Sequence, residues 1–144
     1  MKRIKLSIFL FTFLLAGIVQ ANVNAQNNKS KDGVYSKVEI MPEYPGGVTA
    51  LRTDIASEVK YPEDAKKKGI QGKVFVTFVV NENGKAEDAK IARGVDSTLD
   101  EEALRVINRL KTWEPGKEKG KAVKVQYTVP INFVLDKTKK SNNS

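Results

Sequence analysis

The sequence predicts an α+β fold: a two-layer sandwich in which a three-stranded antiparallel sheet, of order 2-1-3, carries two helices on one face. Three observations carry this. Gly72 to Asn81 (GKVFVTFVVN) is apolar and β-branched or aromatic on both faces, as a strand in the middle of a sheet must be. Val123, Val125, Tyr127, Val129, Ile131, Phe133 and Leu135 recur at every second position, the mark of a strand with one buried face. Finally, Val48, Leu51, Ile55 and Val59 form one helical stripe, and Leu99, Ala103, Val106, Ile107 and Leu110 another. The second helix joins two strands that are not hairpin neighbours, so it crosses one face and delivers the last strand to the far side of the central one. That last strand is an edge. Pro130 lies within it, and an edge is where a strand tolerates a residue with no N–H to donate.

In chain order, Glu39 to Pro45 (EIMPEYP) is held extended by its two prolines, and Gly46-Gly47 turns into the first helix. Lys60-Tyr61-Pro62 ends that helix, because proline cannot continue it. Asp64 to Lys68 adds a short turn closed by Gly69. Asn83-Gly84 marks a hairpin after the central strand, since both residues accept positive φ. The return strand, Lys85 to Arg93, breaks alternation and predicts a bulge near Asp88. Thr98 and Glu101 have the spacing of a capping box for the second helix, with Asp100, Glu101 and Glu102 at its positive end. Arg105, Arg109 and Lys111 are expected to face water. Trp113 should pin the helix end to the sheet, and Lys117 to Lys121 should form a charged turn.

At 144 residues the chain has room for one domain. Residues 1–25 read as a signal peptide: a basic start, an apolar run from Leu6 to Val19, and cleavage between Ala25 and Gln26. Fourteen helical residues would span roughly 21 Å, short of the roughly 30 Å hydrocarbon core, so an uncleaved anchor is the lesser reading. Residues 26–37 are expected to be a flexible lead-in, 38–136 the folded domain and 137–144 a disordered tail. Cleavage removes Lys2, Arg3 and Lys5 and lowers the formal charge from +8 to +5. The absence of cysteine and histidine removes thiol nucleophiles, disulfides, the usual general base and the usual zinc ligand. No enzyme, no cofactor and no metal site are expected, and nothing points to nucleic acid. The carboxylates at Asp100 to Glu102 sit where a helix dipole lowers their pKa, which is wrong for a general acid.

The segments "MPEYPGGVTAL", "KYPEDAKKKGIQGKVFVTFVVNENGKAEDAKI", "LDEEALRVI" and "WEPGKEKGKAVKVQYTVPINF" together resemble the C-terminal domain of TonB, the bacterial energy transducer. The resemblance covers about residues 41 to 135. It implies a periplasmic module linked to transmembrane transport, which captures an extended peptide, the TonB box of an outer-membrane receptor, as an added strand. Mapped here, the peptide-binding residues are Lys60, Tyr61 and Pro62 with Val123, Lys124, Val125, Gln126, Tyr127, Thr128 and Val129. Transducers of this kind also carry a membrane-helix histidine and a long proline-rich spacer. This chain has no histidine, and twelve flexible residues reach only about 20 Å, so a stand-alone periplasmic form is expected. Peptidoglycan binding through the basic faces, an envelope scaffold role, or homodimerisation through the same edge remain as alternatives.

Overall fold

The computed structural model describes residues 28–136. The signal segment, its Ala25–Gln26 junction and the tail 137–144 lie outside the described residues. Among the described residues no helix is long and apolar enough to cross a membrane.

The chain runs α1 (Gly47–Glu58), α2 (Glu63–Lys67), β1 (Gly72–Val80), β2 (Ala86–Arg93), α3 (Ser97–Ile107), β3 (Lys117–Glu118), β4 (Lys121–Ala122) and β5 (Val125–Phe133). The main sheet has the order β2-β1-β5 and is antiparallel throughout, so the expected 2-1-3 order holds for the three long strands. Val74, Val76, Phe78 and Val80 of β1 are fully buried, and Val125, Val129, Ile131 and Phe133 of β5 share their side of the sheet. Leu51 and Ile55 of α1, Ala65 of α2, and Leu99, Ala103, Val106 and Ile107 of α3 close on most of these residues in a single apolar cluster. Phe75, Thr77 and Val79 on the opposite face are half-buried, which is why β1 reads as apolar on both sides.

The bulge is where alternation fails. Asp88 has φ 53, and the β1–β2 register shifts between Thr77 and Val79 and again between Phe75 and Val76. Gly84 makes the hairpin possible in two ways. Its φ is 80, and an added Cβ would stand 1.8 Å from the Trp113 carbonyl oxygen. The Gly84 carbonyl in turn accepts from the Trp113 N–H at 2.7 Å, tying the hairpin to the chain after α3.

Several local expectations are corrected. Val48 is 57% exposed, so the buried stripe of α1 is Leu51 and Ile55. Asp96, not Thr98, caps α3: its carboxylate accepts from the Thr98 N–H at 3.0 Å. Asp100, rather than Glu101, reaches back, accepting from the Val95 N–H at 3.0 Å. An aspartate two residues upstream outcompetes the threonine because its charged acceptor sits at the positive helix end. Lys119 and Gly120, at φ 51 and 75, turn β3 into β4, so the charged turn is a miniature hairpin. The last strand starts at Val125 because the Val123 N–H is spent on the Gly116 carbonyl at 3.0 Å.

The lead-in also differs from expectation. Residues 28–36 fold into a tight turn in which Ser30 N–H donates to Val34 C=O at 2.7 Å and Ser36 N–H to Asn28 C=O at 2.6 Å. Folded structure thus begins well before residue 38. The extended stretch after it pairs with the segment following α3, through Ile40 with Lys117 and Glu43 with Glu114.

Candidate functional site

β5 keeps an unbroken register with β1, from Val125↔Val80 to Phe133↔Gly72. In a strand the N–H and C=O of one residue point to the same side, and the side alternates. The Lys124 carbonyl and Gln126 N–H point away from β1, since both bond to Tyr35. Even-numbered residues therefore present their backbone outward, and Thr128, Pro130 and Asn132 follow. Pro130 lies at one of these outward positions, so its missing N–H costs the β1–β5 ladder nothing.

The outer side divides into two parts. At its start, Tyr35 N–H donates to Lys124 C=O and Gln126 N–H donates to Tyr35 C=O, both at 2.8 Å, making a parallel bridge opposite Val125. From the Gln126 carbonyl to Asn132, no bridge or backbone partner is made on the outer side among the described residues. The open stretch is displaced toward the C-terminal end relative to the expected Val123 to Val129. Sequence reasoning missed Tyr35 and Asn132; an aromatic residue beside Val34 in an otherwise polar stretch was the available hint for the first.

The expected residues fall into distinct roles. Val125 and Val129 are buried in the core. Tyr127 is half-buried, with its ring 4.9 Å from Trp113 and 5.9 Å from Phe78. Gln126 and Thr128 have exposed side chains, and Thr128 Oγ1 shares a 2.8 Å hydrogen bond with Thr77 Oγ1 across the strands. Lys124 Nζ lies 3.3 Å from Glu87 Oε1 of β2, which reaches over the central strand. Hydrogen bonding from Asn81, then from Lys124, holds the Glu87 carboxyl below the usual range.

Of Lys60, Tyr61 and Pro62, it is Tyr61 that reaches the other end of β5. The Tyr61 ring packs edge-on against Phe133 at 5.7 Å, and its hydroxyl donates to the Ile70 carbonyl. Burial raises the Tyr61 pKa. Pro62 stands at the N-cap of α2. The Lys60 N–H donates to Glu102 Oε1 at 2.9 Å. Glu102 also takes a bidentate contact from Arg105, Nε at 2.8 Å and an Nη at 2.6 Å, while the same Nη donates to the Glu58 carbonyl at the end of α1. Arg105 therefore does not simply face water. It clamps α1 to α3, fixes the Lys60–Pro62 corner, and holds the Glu102 carboxyl below its usual range. Lys60, Tyr61, Pro62, Thr98 and Glu101 line a shallow cleft beside this clamp.

Behind Tyr127, Trp113 is buried against Tyr44 (5.1 Å, edge-on) and Phe78 (5.6 Å). Tyr44 donates to Asp54 Oδ2 at 2.7 Å and accepts from the Lys111 N–H at 3.2 Å. Burial, then the bond to Asp54, pushes the Tyr44 pKa up to about 12, so the phenol stays a donor. These groups hold the aromatic wall in place. Among the described residues no group of acids could hold a metal ion.

The sequence pattern of the family described as "Gram-negative bacterial TonB protein C-terminal" matches residues 57–135, more than half of the chain. The chain belongs to the TonB C-terminal family. A protein named TonB from Helicobacter pylori is 28% identical over 116 residues, covering 76% of this chain and 38% of that protein. TonB from Haemophilus influenzae is 41% identical over 61 residues, covering 42% of this chain and 23% of that protein. This TonB-family chain thus spans well under half the length of the relatives it matches. The solution structure of the H. pylori TonB C-terminal domain (residues 194–285) is similar at a TM-score of 0.44 and 25% identity, over 62% of this chain and 96% of that one. The Pseudomonas aeruginosa domain gives 0.44 and 29%, over 54% of this chain and 79% of that one.

Proposed function

We propose that this protein is a periplasmic, non-catalytic module that serves transport by capturing the TonB box of an outer-membrane receptor as an extra strand on β5. The reading rests on one observation: the outer backbone of β5 from the Gln126 carbonyl to Asn132 is regular and unpaired among the described residues. Family membership supports the choice of ligand. An extended peptide laid there would run from Thr128 toward the end of β5 where Tyr61 packs on Phe133. This brings together two sets of residues far apart in sequence. A handful of backbone bonds at about 1 kcal/mol each falls short of the roughly 8 kcal/mol of micromolar binding, so side-chain contacts at Tyr61, Pro62 and Tyr127 must contribute.

Titration of the mature chain with a synthetic TonB-box peptide, followed by amide chemical shifts, tests this. Thr128 and Asn132 should move most, with Lys60 and Tyr61 following. A peptide that shifts only the amides of Lys66 to Lys68, or nothing, would exclude capture at β5.

A further inference from the structure

The first part of the β5 edge is already taken, and by the chain itself. Tyr35 holds the Lys124 carbonyl and the Gln126 N–H at 2.8 Å each, as a short parallel strand would. We propose that residues 28–36 are an internal competitor, a latch that must leave β5 before an incoming strand can pair along its whole length. This rests on the reading of β5 as a peptide-capture edge.

Three features make the segment releasable. It contacts β5 through a single-residue parallel bridge, and parallel pairing is the weaker kind. No residue of 28–36 belongs to the apolar core; Val34 and Tyr35 are only half-buried, whereas Val38 and Tyr44 beyond them are buried. The turn also supports itself. Ser30 and Val34 pair, Gly33 adopts φ 79 and donates to the Ser30 carbonyl at 3.0 Å, and Lys29 Nζ sits 5.3 Å from the centre of the Tyr35 ring. It can therefore move as a unit, with exposed Lys37 between it and an anchored pair: Val38, which is buried, and Glu39, whose N–H donates to Glu118 Oε2 at 3.0 Å.

The Tyr35 bridge also does for the start of β5 what Pro130 does further along: it withdraws backbone groups from unwanted partners. A latch that is closed most of the time lowers the apparent affinity for any strand needing Gln126 by the fraction of molecules that are open, a factor of roughly three to ten for two weak bonds.

The test is Tyr35→Pro in the mature chain, which deletes the N–H given to Lys124. The Gln126 amide should exchange with solvent roughly three to ten times more slowly in wild type than in Y35P. The same TonB-box peptide should bind Y35P roughly three to ten times more tightly. Tyr35→Ala, which keeps the N–H and loses only the ring, should fall between. No variant is needed for the second measurement: saturating wild type with peptide should move the Lys29 and Ser36 amides toward unfolded positions. Equal affinity for wild type and Y35P, or weaker binding by Y35P, overturns the latch while leaving capture standing, as does unchanged Lys29 and Ser36 on saturation. No binding by either protein removes the capture reading and the latch with it.

Discussion

β2 and β5 both flank β1, yet they are built in opposite ways. β5 holds register with β1 over its whole length, whereas β2 slips twice and carries Asp88 at φ 53. A bulged edge twists away and offers no continuous row of donors and acceptors, so β2 is protected by its own backbone. β5 has no such irregularity. Its protection is piecemeal: Tyr35 over the first groups, Pro130 without an N–H further on, and the open Thr128 and Asn132 positions between and beyond. A regular edge is a pairing hazard, and on β5 it is blunted group by group rather than by a bulge.

The comparison can be broken most severely from the β2 side. Gly84→Ala should destabilise the domain by about 3 kcal/mol or more, because the new Cβ would meet the Trp113 carbonyl at 1.8 Å and the φ of 80 disfavours a side chain. Urea unfolding measures it, and an unchanged midpoint would refute the packing account. Arg105→Ala should cost about 1–3 kcal/mol by removing the clamp between Glu102 and the Glu58 carbonyl. Its amide shifts should concentrate at Lys60 and Tyr61, on the β5 side.

Asp88→Val should cost about 1–2 kcal/mol, since a β-branched residue resists left-handed φ. Because the strain stays on β2, peptide affinity at β5 should not change. Thr128→Pro sharpens the other half of the comparison. Like Pro130 it removes an outward N–H without touching the β1 ladder, so folding should survive while peptide affinity falls by about 1 kcal/mol, roughly fivefold. The variant also loses the Thr128–Thr77 hydroxyl bond, worth about 1 kcal/mol, so a stability loss well beyond that would mean that the outward assignment of Thr128 is wrong.

The smallest effect is a pH dependence. Glu102 has a folded pKa depressed chiefly by Arg105, so its contribution is present above the unfolded glutamate pKa and is lost as pH falls through the lower folded value. Stability measured downward from neutral pH should decline in the acid range, and the decline should be shallower in Arg105→Ala.

Much of this was legible in the sequence. The alternation of β5, the two-sided apolar β1, Asn83-Gly84 and the broken pattern at Asp88 each reflect a local rule that the fold obeys. The misreadings share a cause. Thr98 satisfies the spacing of a cap as well as Asp96 does, and Arg105 looks like any solvent-facing cation until α1 ends beside it. Spacing gives candidates; competition among neighbours selects.

Sequence alone determined the sheet order, the edge position of the last strand and the place of its proline. These follow from the side-chain period of two and from connections that must cross one face. Only the tertiary structure decided that Tyr35 covers Lys124 and Gln126 and that Tyr61 packs on Phe133 at the far end of the same strand. Backbone hydrogen bonds between distant segments are made by groups every residue carries, so a single bridge leaves no pattern in the side chains to be read.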